Sequence, residues 1–274
     1  MDQLLFPCVT FLRVFDTEPM AEALPLAELL AALRRFEVRA DTAAAIAREV
    51  ARIQRARDLV LTTGAADGPI GAELAKVRAA AQARGGDVAS AVQTAADALI
   101  VHARKDAKRD LRIWAPALYR TDGRRGTDGV IALGCLVLDY DAGVSIDDAA
   151  STWEGWLHLI HTTWSHTDEH PRSRVVLPLA RTVLAEDWAP VWSWASARAD
   201  DAIDHALKSP GATFALPACA SPDAPHFAVV NPGELLDPMS EGLTTRDGPV
   251  VAPVDGPVPS RMFRRDVKRE IIEG

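Results

Sequence analysis

The segment Leu136-Val137-Leu138-Asp139-Tyr140-Asp141 constrains this 274-residue chain more than any other. It is an apolar run ending in two aspartates that flank one residue. Side chains alternate between the two faces of a strand, so Asp139 and Asp141 leave on the same face. Their Cα atoms are then about 6.6 Å apart, two strand steps. Two carboxylates held this way repel each other unless a cation lies between them. Hard divalent ions with oxygen ligands, Mg²⁺ or Mn²⁺, suit that position. Replacing either aspartate by alanine is accordingly expected to raise stability while removing a metal ligand.

Bulk properties narrow the field further. The chain is 48% apolar and 25% charged, as ordinary globular proteins are. The net charge of −8 argues against a general nucleic-acid coat but leaves room for a local basic groove. Cys8, Cys135 and Cys219 are far apart and form no CxxC pair, which disfavours a zinc ribbon and suits a reducing cytoplasm. No apolar run reaches the ~20 residues that span a bilayer, so no membrane role is expected. Met1 to Phe15 lacks a basic segment ahead of its apolar stretch and reads poorly as a signal peptide.

The texture changes near residue 110. Residues 20–108 are alanine-rich and read as helices, with buried stripes such as Leu26, Leu29, Leu30 and Leu33. A helical domain over 1–110 is therefore expected. Beyond it, Leu111 to Tyr119 reads as extended, Thr121 to Gly129 as a hairpin loop, and Val130 to Asp141 as a strand. Ser145 begins a helix, with Asp148 three residues on in the manner of a capping box. Trp153, Trp156, Leu157 and Ile160 read as that helix's apolar side. Arg174 to Leu179 is a short buried strand, Glu186 to about Ala206 a helix, and Thr213 to Leu216 a short strand. Residues 238–274 read as an irregular segment with a basic end.

Phosphoryl and nucleotidyl transfer needs carboxylates for divalent metals, cationic or donor groups for a triphosphate, and a groove for a template. Asp139, Asp141 and Asp204 are the candidate metal ligands. Ser165, His166, Arg174 and Lys208 are the candidate phosphate contacts. His158, His161, His166 and His170 also raise a zinc site, but the chain passes from helix to strand there and no cysteine pair supports it. A rolling-circle relaxase is disfavoured, because there is no His-x-His and Tyr140 stands between the aspartates. Six of the seven tryptophans fall between Trp153 and Trp194 and read mainly as core, with Trp164 a candidate stacking face. Residues 104–125 hold Arg104, Lys105, Lys108, Arg109, Arg112, Arg120, Arg124 and Arg125 against three aspartates, which is either a nucleic-acid track or a solvated face.

In order, these motifs resemble the archaeo-eukaryotic primase superfamily, in particular primase-polymerases of phages and mobile elements. The aspartate-hydrophobic-aspartate motif is Asp139-Tyr140-Asp141, and the small-residue and histidine motif is Thr163-Trp164-Ser165-His166. Pro171 to Leu179 is similar to the Pro-Arg-x-Arg strand of the mobile-element branch. Asp204 with Lys208 stands where a third acidic motif is expected, and Phe214-Ala215-Leu216-Pro217 closes the block. The resemblance covers residues 111–237. It implies an α+β fold, an RRM-like catalytic core, joined here to the N-terminal all-helical domain. It implies template-directed addition of nucleoside triphosphates with Mg²⁺ or Mn²⁺ held by Asp139, Asp141 and Asp204. His166 and Arg174 would contact the triphosphate, with Lys208 nearby. Single-stranded or primed DNA would be a partner, and a helicase or other replication protein would assist, since the chain carries neither helicase nor zinc module. Ala212 departs from the pattern, because many relatives have arginine there. Two rival classes follow: a catalytically silent relative that binds nucleic acid or a replication partner, and a different metal-dependent phosphotransferase or nuclease using the same aspartates.

Overall fold

A computed structural model describes residues 4–252 and 271–273. In chain order the elements are β1 (Leu5–Phe11), β2 (Met20–Pro25), α1 (Leu26–Leu33), β3 (Arg35–Val38), α2 (Ala40–Thr63), α3 (Gly68–Ala83), α4 (Val88–Ala107), β4 (Ile113–Ala115), β5 (Ala117–Tyr119), β6 (Val130–Tyr140), α5 (Ile146–Thr152), β7 (His158–Thr162), β8 (Ser173–Leu184), α6 (Trp188–Arg198), β9 (Phe214–Ala215), β10 (Ala218–Cys219), β11 (Ala228–Asn231) and β12 (Ile271–Glu273). The α+β class expected from the sequence is the one observed.

The chain divides into two compact units, residues 40–110 and residues 1–39 with 111–274. The expected helical domain over 1–110 is thus corrected at its start. Residues 5–11, 20–25 and 35–38 are strands of the second unit. The first pairs with the second and with β4, and the third pairs with β10 and β12, which lie far along the chain. The helical unit is α2, α3 and α4 around Ile53, Val60, Leu74, Val92 and Ala96. Asp87 caps α4 by accepting from the Ser90 N–H at 3.1 Å, which satisfies one of the orphan donors of a helix start.

The second unit is built on a five-stranded antiparallel sheet ordered β11-β7-β8-β6-β5. One face carries Leu136, Leu138, Tyr140, Val175, Leu177 and Ile160 and packs against α5 and α6 through Ala149, Val191, Trp192 and Ala195. The other face carries Cys135, Val137, Val176 and Leu159. It packs against Phe6, Leu24, Leu29, Leu33, Trp114 and Phe214. Those residues come from α1 and from a second sheet, ordered β2-β1-β4-β9. Gly134 lets the two layers meet, since a Cβ there would lie 2.4 Å from the Pro7 ring.

Several local expectations shift. Ser145 does cap α5, accepting from the Asp148 N–H at 3.1 Å. The helix stops at Thr152, however, and Gly155 takes a φ of +94°, so Leu157 and Ile160 are not on its apolar side; Ile160 belongs to β7 instead. The expected strand from Arg174 extends to Leu184. The helix expected over 186–206 ends at Arg198, ahead of Asp200 and Asp201 with φ of +49° and +55°. The basic end, Arg261 to Arg269, lies outside the described residues, while residues 271–273 of the segment expected to be irregular form β12. No helix among the described residues is long and apolar enough to cross a membrane.

Candidate active site

Strand register builds the site. Asp139 on β6 lies opposite Arg174 on β8, and Arg174 lies opposite His161 on β7. Directly opposite residues share a face, so the three form one polar row across the sheet. That row closes the apolar face made by Val137, Val176 and Leu159. Tyr140 goes to the other face, where its hydroxyl accepts from Trp153 Nε1 at 2.9 Å. The alternation read from the sequence therefore holds for Asp139 and Tyr140.

Asp139 and Arg174 form a buried two-pronged ion pair, with Asp139 8% and Arg174 5% exposed. Arg174 Nε donates to Oδ1, and Nη2 donates to Oδ2 at 2.8 Å. Arg174 Nη1 also donates to the Ala215 carbonyl, and its guanidinium lies 5.0 Å from the Phe214 ring centroid. Strand β9 thus covers the pair. Asp141, one step beyond the strand, is exposed and lies 3.6 Å from Arg172 Nη1. Each aspartate therefore faces its own arginine. Repulsion within the pair, expected from the sequence to be relieved by a metal, is already offset by guanidinium groups. The expectation that Asp139→Ala raises stability is corrected accordingly.

The remaining candidates lie in connections outside the strands. The Asp204 N–H donates to the Asp139 carbonyl at 2.9 Å, which ties the two residues together. Its carboxylate turns to its own chain, accepting from the Ala206 N–H at 2.9 Å and capping the short turn 205–207. Lys208 follows that turn and is exposed. His166 sits in the β7–β8 connection, where its Nδ1 accepts from the Arg172 N–H at 3.2 Å. That bond leaves the ring proton on Nε2. Partial burial lowers its pKa, with Asp168 opposing. Ser165 precedes it, half-buried in the same turn. The contacts thus link Asp139 to Arg174, Asp141 to Arg172, His166 to the Arg172 backbone and Asp204 to Asp139 through backbone only, while Lys208 lies four residues beyond Asp204.

The sequence reading gave no role to Arg172 and weighed His161 only as a zinc ligand. The pattern Arg172-Ser173-Arg174 holds the signal for Arg172, because alternate strand residues share a face. His161 is fully buried. Its Nδ1 bonds the Thr162 carbonyl at 2.9 Å, and its Nε2 has no partner. Burial foremost, then the nearby Arg174 charge, push its pKa down to about 3. His158 is three strand positions away, hence on the opposite face, and its Nε2 meets Asn231 at 3.0 Å. The two histidines do not share a ligand geometry.

Among the described residues no three His, Cys, Asp or Glu side chains gather as a metal-holding group. The donors present are hard oxygens, with Asp139 engaged by Arg174 and Asp204 engaged in its cap. Mg²⁺ is commonly held by only one or two carboxylates, with substrate phosphates and water supplying the rest. The set Asp139, Asp141 and Asp204, expected from the sequence as metal ligands, is not assembled as one group among the described residues.

The family model described as the VapE N-terminal domain matches residues 100–239. That is more than half of the 274 residues, and the chain belongs to this family. The match falls on the same stretch whose motifs resemble the primase superfamily. Among solved structures, the chain is similar to a cyanophage S-2L primase-polymerase (PrimPol), AEP domain, at 15% identity and a TM-score of 0.36. That alignment covers 50% of this chain and 71% of that one. No curated protein matches the chain.

Proposed function

We propose that the sheet unit is a nucleotidyltransferase core of primase-polymerase type, adding nucleotides to a templated strand. The observation that carries this is the rim of alternating charge: Asp139 against Arg174, Asp141 against Arg172, with Asp204 and His166 adjoining. A divalent cation bound to a triphosphate complements such a rim in both signs. Its metal suits Asp141 and Asp139, and its phosphates suit Arg172, Arg174, His166 Nε2, Ser165 and Lys208. Mg²⁺ or Mn²⁺ so held would supply charge stabilisation of the attacking and leaving oxygens. In the reaction the strand's 3′-hydroxyl loses its proton to solvent and its oxygen bonds to the α-phosphorus, the α–β phosphoanhydride breaks, and pyrophosphate leaves with the electron pair.

Extension of a labelled primer on a DNA template, with Mg²⁺ or Mn²⁺ and either deoxynucleotides or ribonucleotides, tests the proposal. Asp141→Ala is the sharper variant because Asp141 is exposed and its loss leaves the buried pair intact. Metal-dependent extension abolished by Asp141→Ala supports the reading. Undiminished extension by Asp141→Ala removes these aspartates from the site.

A second reading is a silent relative that binds single strands or a replication protein such as a helicase. The engagement of Asp139 by Arg174 and the uncharged Ala212 favour it. Titration with single-stranded DNA, with and without Mn²⁺ and nucleotide, separates the two: the silent binder needs no metal.

A further inference from the structure

We propose that the loop between β5 and β6, residues 120–129, is the surface that receives the phosphate backbone of a single nucleic-acid strand entering the proposed site. The proposal rests on the primase-polymerase reading and says where its strand lies. The loop bounds an open recess of about 610 Å³ lined by Arg120, Arg124 and Arg125, three glycines, Thr127, Asp122 and Asp128. Three arginines thus face two aspartates.

The arginines differ in their tasks. Arg125 is structural: it donates to the Val14 carbonyl, donates to Thr213 Oγ1 at 3.0 Å, and lies 5.8 Å from the Phe11 ring centroid. Arg120 donates to the Asp128 carbonyl at 3.2 Å, which uses an uncharged acceptor and leaves its charge uncompensated by that bond. Arg124 is exposed and makes no hydrogen bond or ion pair among the described residues. Two guanidinium charges are therefore displayed on a loop whose base Arg125 holds.

The loop is joined to the candidate site by one stretch of chain. Asp204 is bonded to Asp139, and Lys208 stands four residues on. Ser209 Oγ then meets Thr127 Oγ1 at 2.7 Å. Gly211 lies so close to the loop that a Cβ on it would be 2.5 Å from the Thr127 nitrogen. Thr213 holds Arg125, and the next residue, Phe214, carries Arg174. The run 204–214 thus leads from the aspartates past Lys208 to the arginine loop. Successive cations spaced along a surface suit a polyanion that extends beyond one nucleotide, and guanidinium and ammonium contacts to phosphate carry no base preference.

The test is binding of a fluorescent deoxythymidine oligonucleotide by the full chain at several salt concentrations, with Mn²⁺·nucleotide binding measured separately. Arg120→Ala/Arg124→Ala is compared with Arg34→Ala/Arg84→Ala, a pair of exposed arginines outside the loop that loses the same charge. We expect the loop variant to bind the strand about tenfold more weakly near 0.1 M salt. The slope of log affinity against log salt should fall by about 1.4, the value for two single-strand phosphate contacts. Nucleotide binding should be unchanged. Equal losses in the control pair, an unchanged slope, or no strand binding by the wild type would each overturn the proposal. Arg124→Glu alone, at an exposed position, repeats the test if the double variant fails to fold. Loss of strand binding in the loop variant alongside full nucleotide addition by Asp141→Ala would retain the strand surface and discard the proposed active site.

Discussion

Removing Arg174 should be among the most damaging single substitutions in the sheet unit. Arg174→Ala leaves the Asp139 carboxylate buried without either of its two guanidinium donors. Breaking a buried pair by deleting one member costs about 3–5 kcal/mol. Asp139→Ala should fall at the lower end of that range, because Arg174 keeps the Ala215 carbonyl and the Phe214 face. The double variant removes both charges and should cost about 2 kcal/mol less than the sum of the single effects. Urea unfolding followed by tryptophan fluorescence reads this unit selectively, since all seven tryptophans lie between Trp114 and Trp194. The midpoint of thermal unfolding should drop by roughly 10 °C for Arg174→Ala. Single variants that each cost under about 1 kcal/mol, or strictly additive effects, would refute the buried pair.

Two other outcomes follow from the structure. His161 is held neutral in the folded state, with a pKa of about 3 against an ordinary value of 6.5. The unfolded chain binds the proton first, so this residue's stability contribution is intact above about pH 6.5 and declines as pH falls toward 3, by up to about 1.4 kcal/mol per unit. Denaturant titrations between pH 7 and 4 should therefore show a slope one proton shallower in His161→Leu, and an identical slope would contradict the burial. Gly211→Ala forces a Cβ against the Thr127 nitrogen and the Gly126 carbonyl carbon, so it should cost about 1–3 kcal/mol and expose the 120–129 loop to limited proteolysis. Wild-type stability and cleavage in that variant would show that the two loops are not docked.

What the sequence made legible was local. The strand of the Asp-x-Asp motif, the hairpin loop over 121–129 and the Ser145 cap each depend on residues within a few positions, and each is where the pattern put it. The helix at Leu26–Leu33 is likewise carried by its own apolar stripe. The misread segments take their structure from distant partners. Met20-Ala21-Glu22-Ala23-Leu24-Pro25 is rich in helix formers, yet it pairs residue by residue with β1. Strand β7 is buried on both faces and shows no polar alternation, so its apolar residues fit a helical stripe equally well. The Asp139–Arg174 pair was hidden for the same reason. Both residues carry a signal of their own, one as a metal ligand and one as a phosphate contact, but the register that opposes them joins residues 35 positions apart in the chain.

That register also divides the labour between the two aspartates. The inner pair, Asp139 with Arg174, is covered by β9 and tied to the fold at both ends. The outer pair, Asp141 with Arg172, has side chains 45% and 35% exposed at a separation of 3.6 Å. An exposed pair of that kind contributes about 0–1 kcal/mol, so little opposes its exchange for new partners. Under the proposed function, a metal–triphosphate would engage Asp141 and Arg172 first. It would reach Asp139 and Arg174 only by replacing two good hydrogen bonds with others of both signs. A neutral ligand, or a free anion without its metal, can satisfy Arg174 but strands Asp139. The buried pair would thereby favour the metal-bound nucleotide over free triphosphate, and the selectivity would come from an ion pair that exists before either arrives.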